Sequence, residues 1–275
     1  MANTLKDALA ELALANRIAA NEGVVDTFGH VSMRHPDNPN RYFLSRSSSP
    51  DMVTAGGLIE YDLDSQPVRD TGVPQYSERV IHGEIYKARP DVMSVCHHHS
   101  ASFMPLIAVG ADYFPVYHLG SVGGIKPPYW DQHDEFGDTN MLVVKPEEGA
   151  SLARALGAHD MVLMRRHGAT VVGASVRVCV YRSVQTCRNA EHLVRAMMIG
   201  GSIASLSPGE TARCGEIVGK TTGVTRSWDS WALGVAKAQG NVGAAKNSEK
   251  SKSAALNTRK PAVKTAKKAK AKKRR

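Results

Sequence analysis

Apolar positions along the chain follow two rhythms. From Thr4 to Ala20 they recur at helical spacing, with Leu5, Leu9 and Leu12 on one face, Thr4 placed to cap and Asp7 in the first turn; Asn21-Glu22-Gly23 ends this predicted helix. The period then drops to two. Asp26-Thr27-Phe28-Gly29 turns into the alternating stretch His30-Val31-Ser32-Met33-Arg34. His35 to Asn40 carries turn chemistry, and Tyr42-Phe43-Leu44-Ser45 returns, so residues 28–45 read as a hairpin. Ile59-Glu60-Tyr61-Asp62 is a further strand. Ser77 is placed to cap a helix through Ala88, with Val80, Ile81, Ile85 and Ala88 inward and Arg89-Pro90 as its stop.

The second half repeats the mixture. Val92-Met93-Ser94-Val95-Cys96 is a buried strand running into His97-His98-His99-Ser100. Ala101 to Val109 reads as helix, Tyr113 to Gly120 as strand and Ser121 to Gly124 as loop. Lys126 to Asn140 has no clear period, and a loop of that length in a compact domain is often functional. Met141 to Val144 reads as a short strand and Glu147 to Leu156 as a helix closed by Gly157. Met161-Val162-Leu163-Met164 ends at Arg165-Arg166-His167-Gly168 and returns antiparallel as Ala169 to Gly173. Ser175 then caps a long amphipathic helix to about Ile199. From Gly200 the pattern weakens, although Trp228 and Trp231 predict a segment that docks on an apolar surface. Beyond about Gln239 large apolar residues almost vanish, which predicts a disordered tail. Strands alternating with helices imply an α/β layered domain over residues 1–240, hairpins imply a mixed sheet, and 241–275 is set apart.

Composition narrows the classes. With 275 residues, 42% of them hydrophobic, the chain supports one sizeable core or two small ones. No apolar run approaches the ~20 residues of a membrane span. Met1 to Asp7 lacks the basic and apolar regions of a signal peptide, and Cys96, Cys179, Cys187 and Cys214 form no CxxC pair; reduced thiols in the cytoplasm are expected. The net charge of +9 is misleading until located: residues 241–275 hold thirteen Lys and Arg against one acid, so the first 240 residues carry −3. A basic footprint for nucleic acid on the folded part is therefore not supported. The tail reads as a solvated appendage, or as a non-specific, salt-sensitive contact to nucleic acid or another polyanion.

The histidines carry the chemistry. On a strand His97 and His99 point one way and His98 the other. Two imidazoles on one face make half of a metal site, and His167, at a strand end before Gly168, is the best third ligand. Three such ligands suit Zn2+, Mn2+ or Fe2+ and leave room for water or a bidentate substrate. Two further features are open in meaning. The loop Arg46-Ser47-Ser48-Ser49-Pro50 can bind an anion or act as an ordinary serine-rich turn, and Glu78 can serve the helix dipole or chemistry.

Taken together these residues resemble the class II aldolase/adducin family. The match lies in Gly29-His30-Val31-Ser32-Met33-Arg34, Ser77-Glu78 with His82, Arg89-Pro90-Asp91-Val92, His97-x-His99-Ser100 and Arg166-His167-Gly168, in the family's order over roughly residues 5–200. The resemblance implies a three-layer α/β/α domain with a mixed, largely antiparallel sheet. It also implies a divalent cation (Zn2+ or Mn2+, with Fe2+ or Co2+ possible) on His97, His99 and His167, Glu78 as catalytic carboxylate, and a homotetramer or larger homo-oligomer. Sugar-phosphate aldolases of the family have Asn where this chain has His30, Ser-Ser-Glu where it has Tyr76-Ser77-Glu78, and a Thr-Pro-Ser-Gly phosphate loop where it has Ser45-Arg46-Ser47-Ser48-Ser49. Their His-Tyr-Met, with an acid/base tyrosine, aligns with His118-Leu119-Gly120, and leucine transfers no proton.

The altered pattern resembles the family's decarboxylase branch, which acts on hydroxylated aromatic or heteroaromatic dicarboxylates or on carboxy-hydroxymuconate semialdehyde-type ring-cleavage products. That resemblance implies a small carboxylate substrate, Glu78 and His30 as catalytic residues, and Arg46, Ser47, Ser48 and Ser77 as substrate-binding ones. Aldol or epimerase chemistry on a sugar phosphate is the alternative. A non-catalytic adducin-type binding protein is a second, disfavoured by retention of the three histidines and Glu78.

Overall fold

The alternating stretches pair into one seven-stranded sheet. In the computed structural model, which describes residues 4–257 with side chains as far as Gly240, the strands are β1 (His30–Arg34), β2 (Arg41–Ser45), β3 (Leu58–Asp62), β4 (Ser94–His98), β5 (Tyr129–Trp130), β6 (Met161–Met164) and β7 (Gly168–Gly173). Their order is β3-β2-β1-β4-β7-β6-β5. Every pairing is antiparallel except β5 with β6, which is parallel. The sheet is thus mixed and largely antiparallel.

Because side chains alternate, the sheet offers an apolar surface on both sides. Val31, Met33, Cys96, Leu163, Ala169 and Val171 pack with residues of α1 (Leu5–Asn21), α3 (Met104–Val109), α6 (Val176–Ile199) and α8 (Thr221–Asn257). Tyr42, Leu44, Tyr61, Val95, Val162 and Val172 pack with residues of α2 (Arg79–Ala88) and α5 (Pro146–Leu156). Two cores on opposite faces of one sheet give the three-layer α/β/α architecture. The helix starts follow capping chemistry: Thr4 and Asp7 form a reciprocal capping box, and Ser175 accepts from the Val178 N–H. The remaining helices are α4 (Gln132–Phe136) and α7 (Pro208–Val218).

Several predicted elements differ. Tyr113–Gly120 is not a strand: its last three residues open the 3-10 helix His118–Gly123, and the Asn189 side chain on α6 accepts from the Val116 N–H and donates to the Phe114 carbonyl. A side chain there takes the place of a neighbouring strand. Met141–Val144 is also irregular, since its N–H groups go to side chains: Leu142 to Asn140, Val143 to Glu78, Val144 to Glu148. The predicted helix from Ala101 starts only at Met104, and Lys126–Asn140 contains β5 and α4. Ser77 makes no cap: Glu78 is the N-cap residue of α2, without a side-chain capping bond. Beyond Gly200, α7 and α8 replace the expected irregular segment, with Trp228 and Trp231 buried in the α1/α6 core. Arg177 lies 5.0 Å over the Trp228 ring.

The chain divides into Met1–Val235, which holds the sheet and both cores, and Ala236–Arg275. In the second unit the backbone is helical to Asn257. The expected disorder of the basic tail concerns residues 241–275, whose side chains, and beyond Asn257 whose backbone, lie outside the described residues.

Candidate metal centre and active-site cavity

Register assembles the site. β4 lies between β1 and β7, with His97 opposite His30 on one side and opposite Thr170 on the other. His99 follows just past the end of β4. His167 immediately precedes β7, in the tight turn from β6 where Arg166 adopts φ +57°. Gly168 is required there: a Cβ would overlap the His98 carbonyl oxygen and stand 3.0 Å from His99 Cδ2. The chain thereby brings His97, His99, His167 and Glu78 together, with one potential ligand atom from each lying within 4.8 Å of all the others. His98 points the other way, as alternation requires, and packs 5.7 Å from Phe103.

The donor set fits a divalent cation. Thr170 donates its hydroxyl proton to Met164 Sδ, so its oxygen accepts from His97 Nδ1–H, at 3.1 Å. The Asp26 carboxylate stands 3.2 Å from His99 Nδ1 and accepts there. Both ring protons are thus held on Nδ1, and the two Nε2 lone pairs face each other at 3.1 Å. Opposed lone pairs at that distance repel unless a cation lies between them. His167 Nε2 is 3.4 Å from Glu78 Oε1, and His97 Nε2 is 3.8 Å from Glu78 Oε2. Burial holds His97 well below the ordinary histidine range and pushes His167 down to about 4, so both rings are neutral and able to ligate. Burial raises the Glu78 carboxyl, opposed by the hydrogen bond from Val143 N–H and by nearby His99.

A cavity of about 530 Å³ opens onto this cluster. Glu78 and His99 of the cluster line it, and Thr27, Phe28, His30, Ser47, Ser48, Ser49, Gln75, Tyr76, Ser77 and Leu142 complete the wall. Of the sequence-predicted site residues, Glu78, His30, Ser47, Ser48 and Ser77 therefore meet in one space. Arg46 does not join them. It lines a separate opening of about 450 Å³ with Thr54, Gly56, Gly57 and Thr71. Residues next to one another on an extended segment face opposite ways, and Arg46 still pairs as an isolated bridge with Gln75.

Sequence reasoning passed over four kinds of partner: Asp26 and Thr170 behind the histidines, the Val143 amide on Glu78, Tyr76 with its ring tilted against His30 at 4.4 Å, and a buried chain behind His30. In that chain His30 Nδ1 lies 2.7 Å from His82 Nε2, His82 Nδ1 lies 2.6 Å from Ser32 Oγ, and Ser32 Oγ lies 2.7 Å from the Tyr86 hydroxyl. The i, i+2 spacing of His30 and Ser32 and the i, i+4 spacing of His82 and Tyr86 are the sequence signal for it.

Comparisons with known proteins agree with this geometry. The chain is 32% identical over 194 residues, 66% of its length and 73% of the relative's, to "Decarboxylase tropJ" of Talaromyces stipitatus. It is 25% identical over 224 residues, 76% of its length and 86% of the relative's, to the 3,4-dihydroxyphthalate decarboxylase of Arthrobacter keyseri. Among solved structures, the L-fuculose 1-phosphate aldolase of Glaciozyma antarctica superposes with a TM-score of 0.70 at 20% identity, covering 86% of this chain and 91% of that one, which shows the shared fold. A family model for the Class II Aldolase and Adducin N-terminal domain matches residues 10–194. That span is more than half of the chain and includes every strand and all four residues of the histidine–glutamate cluster: the chain belongs to the class II aldolase and adducin family.

Proposed function

We propose that this chain is a divalent-metal-dependent carboxy-lyase that removes CO2 from a hydroxylated aromatic or heteroaromatic dicarboxylate, or from a carboxy-hydroxymuconate semialdehyde-type ring-cleavage product. The observation that carries the reading is the convergence of Glu78 with three imidazole nitrogens, next to a cavity that Glu78 and His99 line together with hydroxyls and a further imidazole. The similarity to relatives named as decarboxylases supports the lyase class, and the dihydroxyphthalate of one of those names is a hydroxylated aromatic dicarboxylate.

His97, His99 and His167 would hold the cation, with Glu78 beside it as the acid, and this donor set suits Zn2+ or Mn2+, with Fe2+ and Co2+ also compatible. When bound, such an ion supplies electrostatic stabilisation for the negative charge that develops as CO2 departs. Within the cavity His30, Ser47, Ser48 and Ser77 offer hydrogen bonds to the carboxylate that is retained. The carbon–carbon bond to the departing carboxylate breaks and leaves its electron pair on carbon. Glu78, whose acid form is favoured by burial, gives its proton to that carbon. One proton enters and one CO2 leaves, and Glu78 regains its proton from solvent through the open cavity. A homo-oligomer with the cavity mouth at a subunit boundary fits the rim, where Phe28 is 70% and Leu142 41% exposed.

The test is a panel of hydroxy-aromatic dicarboxylates and sugar phosphates assayed for CO2 and for aldehyde. CO2 release from a dicarboxylate, dependent on added metal, is expected. Glu78→Gln keeps shape but not the proton, so turnover should fall by about 10²–10⁴ while substrate still binds. Aldehyde release from a sugar phosphate with no CO2 from any acid would make the chain an aldolase. A protein without bound metal or turnover would be a scaffold of the adducin type.

A further inference from the structure

His30 stands at the cavity wall and also ends a buried chain of hydrogen bonds that the chemistry above does not use. His30 and Ser32 lie on the face of β1 that meets α2, and His82 and Tyr86, one helical turn apart, reach them from α2. All four are buried: His30 and Tyr86 are 1% exposed, and Ser32 and His82 are fully enclosed. The links run Tyr86 hydroxyl, Ser32 Oγ, His82 Nδ1, His82 Nε2, His30 Nδ1, with separations of 2.7, 2.6 and 2.7 Å.

Such a chain can be polarised in two senses, and the interior here permits one. If the protons point inward, His30 Nδ1–H donates to His82, His82 Nδ1–H donates to Ser32, and Ser32 donates to Tyr86. The Tyr86 hydroxyl proton then has no acceptor, since Ser32 Oγ is its one hydrogen-bond partner among the described residues. An unpaired buried donor forfeits its full desolvation cost. If the protons point outward, Tyr86 donates to Ser32, Ser32 to His82 Nδ1, and His82 Nε2–H to His30 Nδ1, and every donor is used. Burial also keeps the members neutral, pushing His82 down to about 3 and the Tyr86 phenol above its ordinary range.

We propose that Ser32, His82 and Tyr86 are positioning residues that lock His30 as its Nε2–H tautomer, presenting an uncharged hydrogen-bond donor to the carboxylate or carbonyl oxygen of a substrate in the cavity. The lock also bars His30 from serving as the proton source. Were His30 to give up its Nε2 proton, each proton along the chain would move one link outward, and Tyr86 would be left as a buried phenolate, with Arg34 over its ring at 4.7 Å but no cation hydrogen-bonded to its oxygen, and burial outweighs that nearby charge. His30 therefore grips and Glu78 protonates, which assigns the two predicted catalytic residues different tasks. This inference rests on the carboxylate reading for its ligand, but the tautomer itself does not depend on any substrate.

The experiment uses the full chain loaded with Zn2+ and labelled with 15N in its histidines, with the His30 signals identified by their loss in His30→Asn. Long-range 1H–15N correlations report which ring nitrogen carries the proton. The expected result is a single Nε2–H tautomer at His30, a mixture of tautomers in Ser32→Ala, and the single tautomer again in Ser32→Thr, which restores the hydroxyl. Phthalate serves as the carboxylate probe: it should shift the His30 Nε2 proton, bind about tenfold more weakly to Ser32→Ala, and recover in Ser32→Thr. An Nδ1–H tautomer at His30 in the unaltered chain overturns the proposal, and so does a Ser32→Ala spectrum identical to it. An Nε2–H lock with no phthalate binding leaves the relay standing and counts instead against the carboxylate substrate.

Discussion

At the scale of single residues, His97 and His99 depend on partners that stand outside the histidine–glutamate cluster. Thr170 and Asp26 set the tautomers of His97 and His99, and these second partners usually contribute about 10–100-fold in metal affinity. His97→Ala, His99→Ala and His167→Ala should each abolish stoichiometric metal, and Asp26→Asn should weaken it by about that factor while the fold persists. His98→Ala removes a side chain that faces Phe103 on the other side of the sheet, so it should lower stability yet leave metal content intact. Metal analysis after dialysis against a graded chelator measures all five. If His98→Ala lost metal as readily as its neighbours, the two-faced reading of β4 would be wrong. The histidine trio was legible because strand alternation and a His-Gly turn are local signals. Thr170 and Asp26 were not, because their meaning comes from the β4–β7 register and from a turn 73 residues away in sequence.

At the scale of elements, the two strands expected but not found share a cause. Apolar alternation shows that a segment is half buried, but not which group answers its backbone. In residues 113–120 the answer comes from Asn189 on α6, which serves both the Val116 N–H and the Phe114 carbonyl. In residues 141–144 it comes from Asn140, Glu78 and Glu148. The long helices and the central strands were readable from periodicity and caps, whereas the two-residue β5 is too short to display any period. Asn189→Ala tests this substitution of side chain for strand. It strands one amide and one carbonyl, so destabilisation of about 2–6 kcal/mol is expected, at ~1–3 for each unmet group. Faster hydrogen exchange at the Val116 amide should accompany it. A loss below about 0.5 kcal/mol, with Val116 still protected, would mean that another group holds this segment.

At the scale of the whole molecule, charge and site are separated along the chain. Residues 1–240 carry −3 and residues 241–275 carry +12. Every residue assigned to metal, proton transfer or substrate lies no later than Thr170, and among the residues whose side chains are described the buried ones of α8, Val224, Trp228, Trp231 and Val235, fall in the first unit, Met1–Val235. A chain ended after Gly240 therefore retains both cores and loses only the basic segment. Attraction between that segment and a polyanion works by neutralising phosphates or sulfates and releasing counterions, so it weakens steeply with salt. The shortened protein should keep its metal content and its kcat/KM on whichever acid releases CO2, with an unchanged thermal midpoint. It should also lose the retention on a heparin column at low salt that the full chain is expected to show. The two measurements are independent, because a mildly acidic body has no reason to hold the column and the tail has no assigned group in the cavity. A large fall in kcat/KM on truncation, with metal still bound, would place part of residues 241–275 over the cavity mouth and make the basic segment part of the active site.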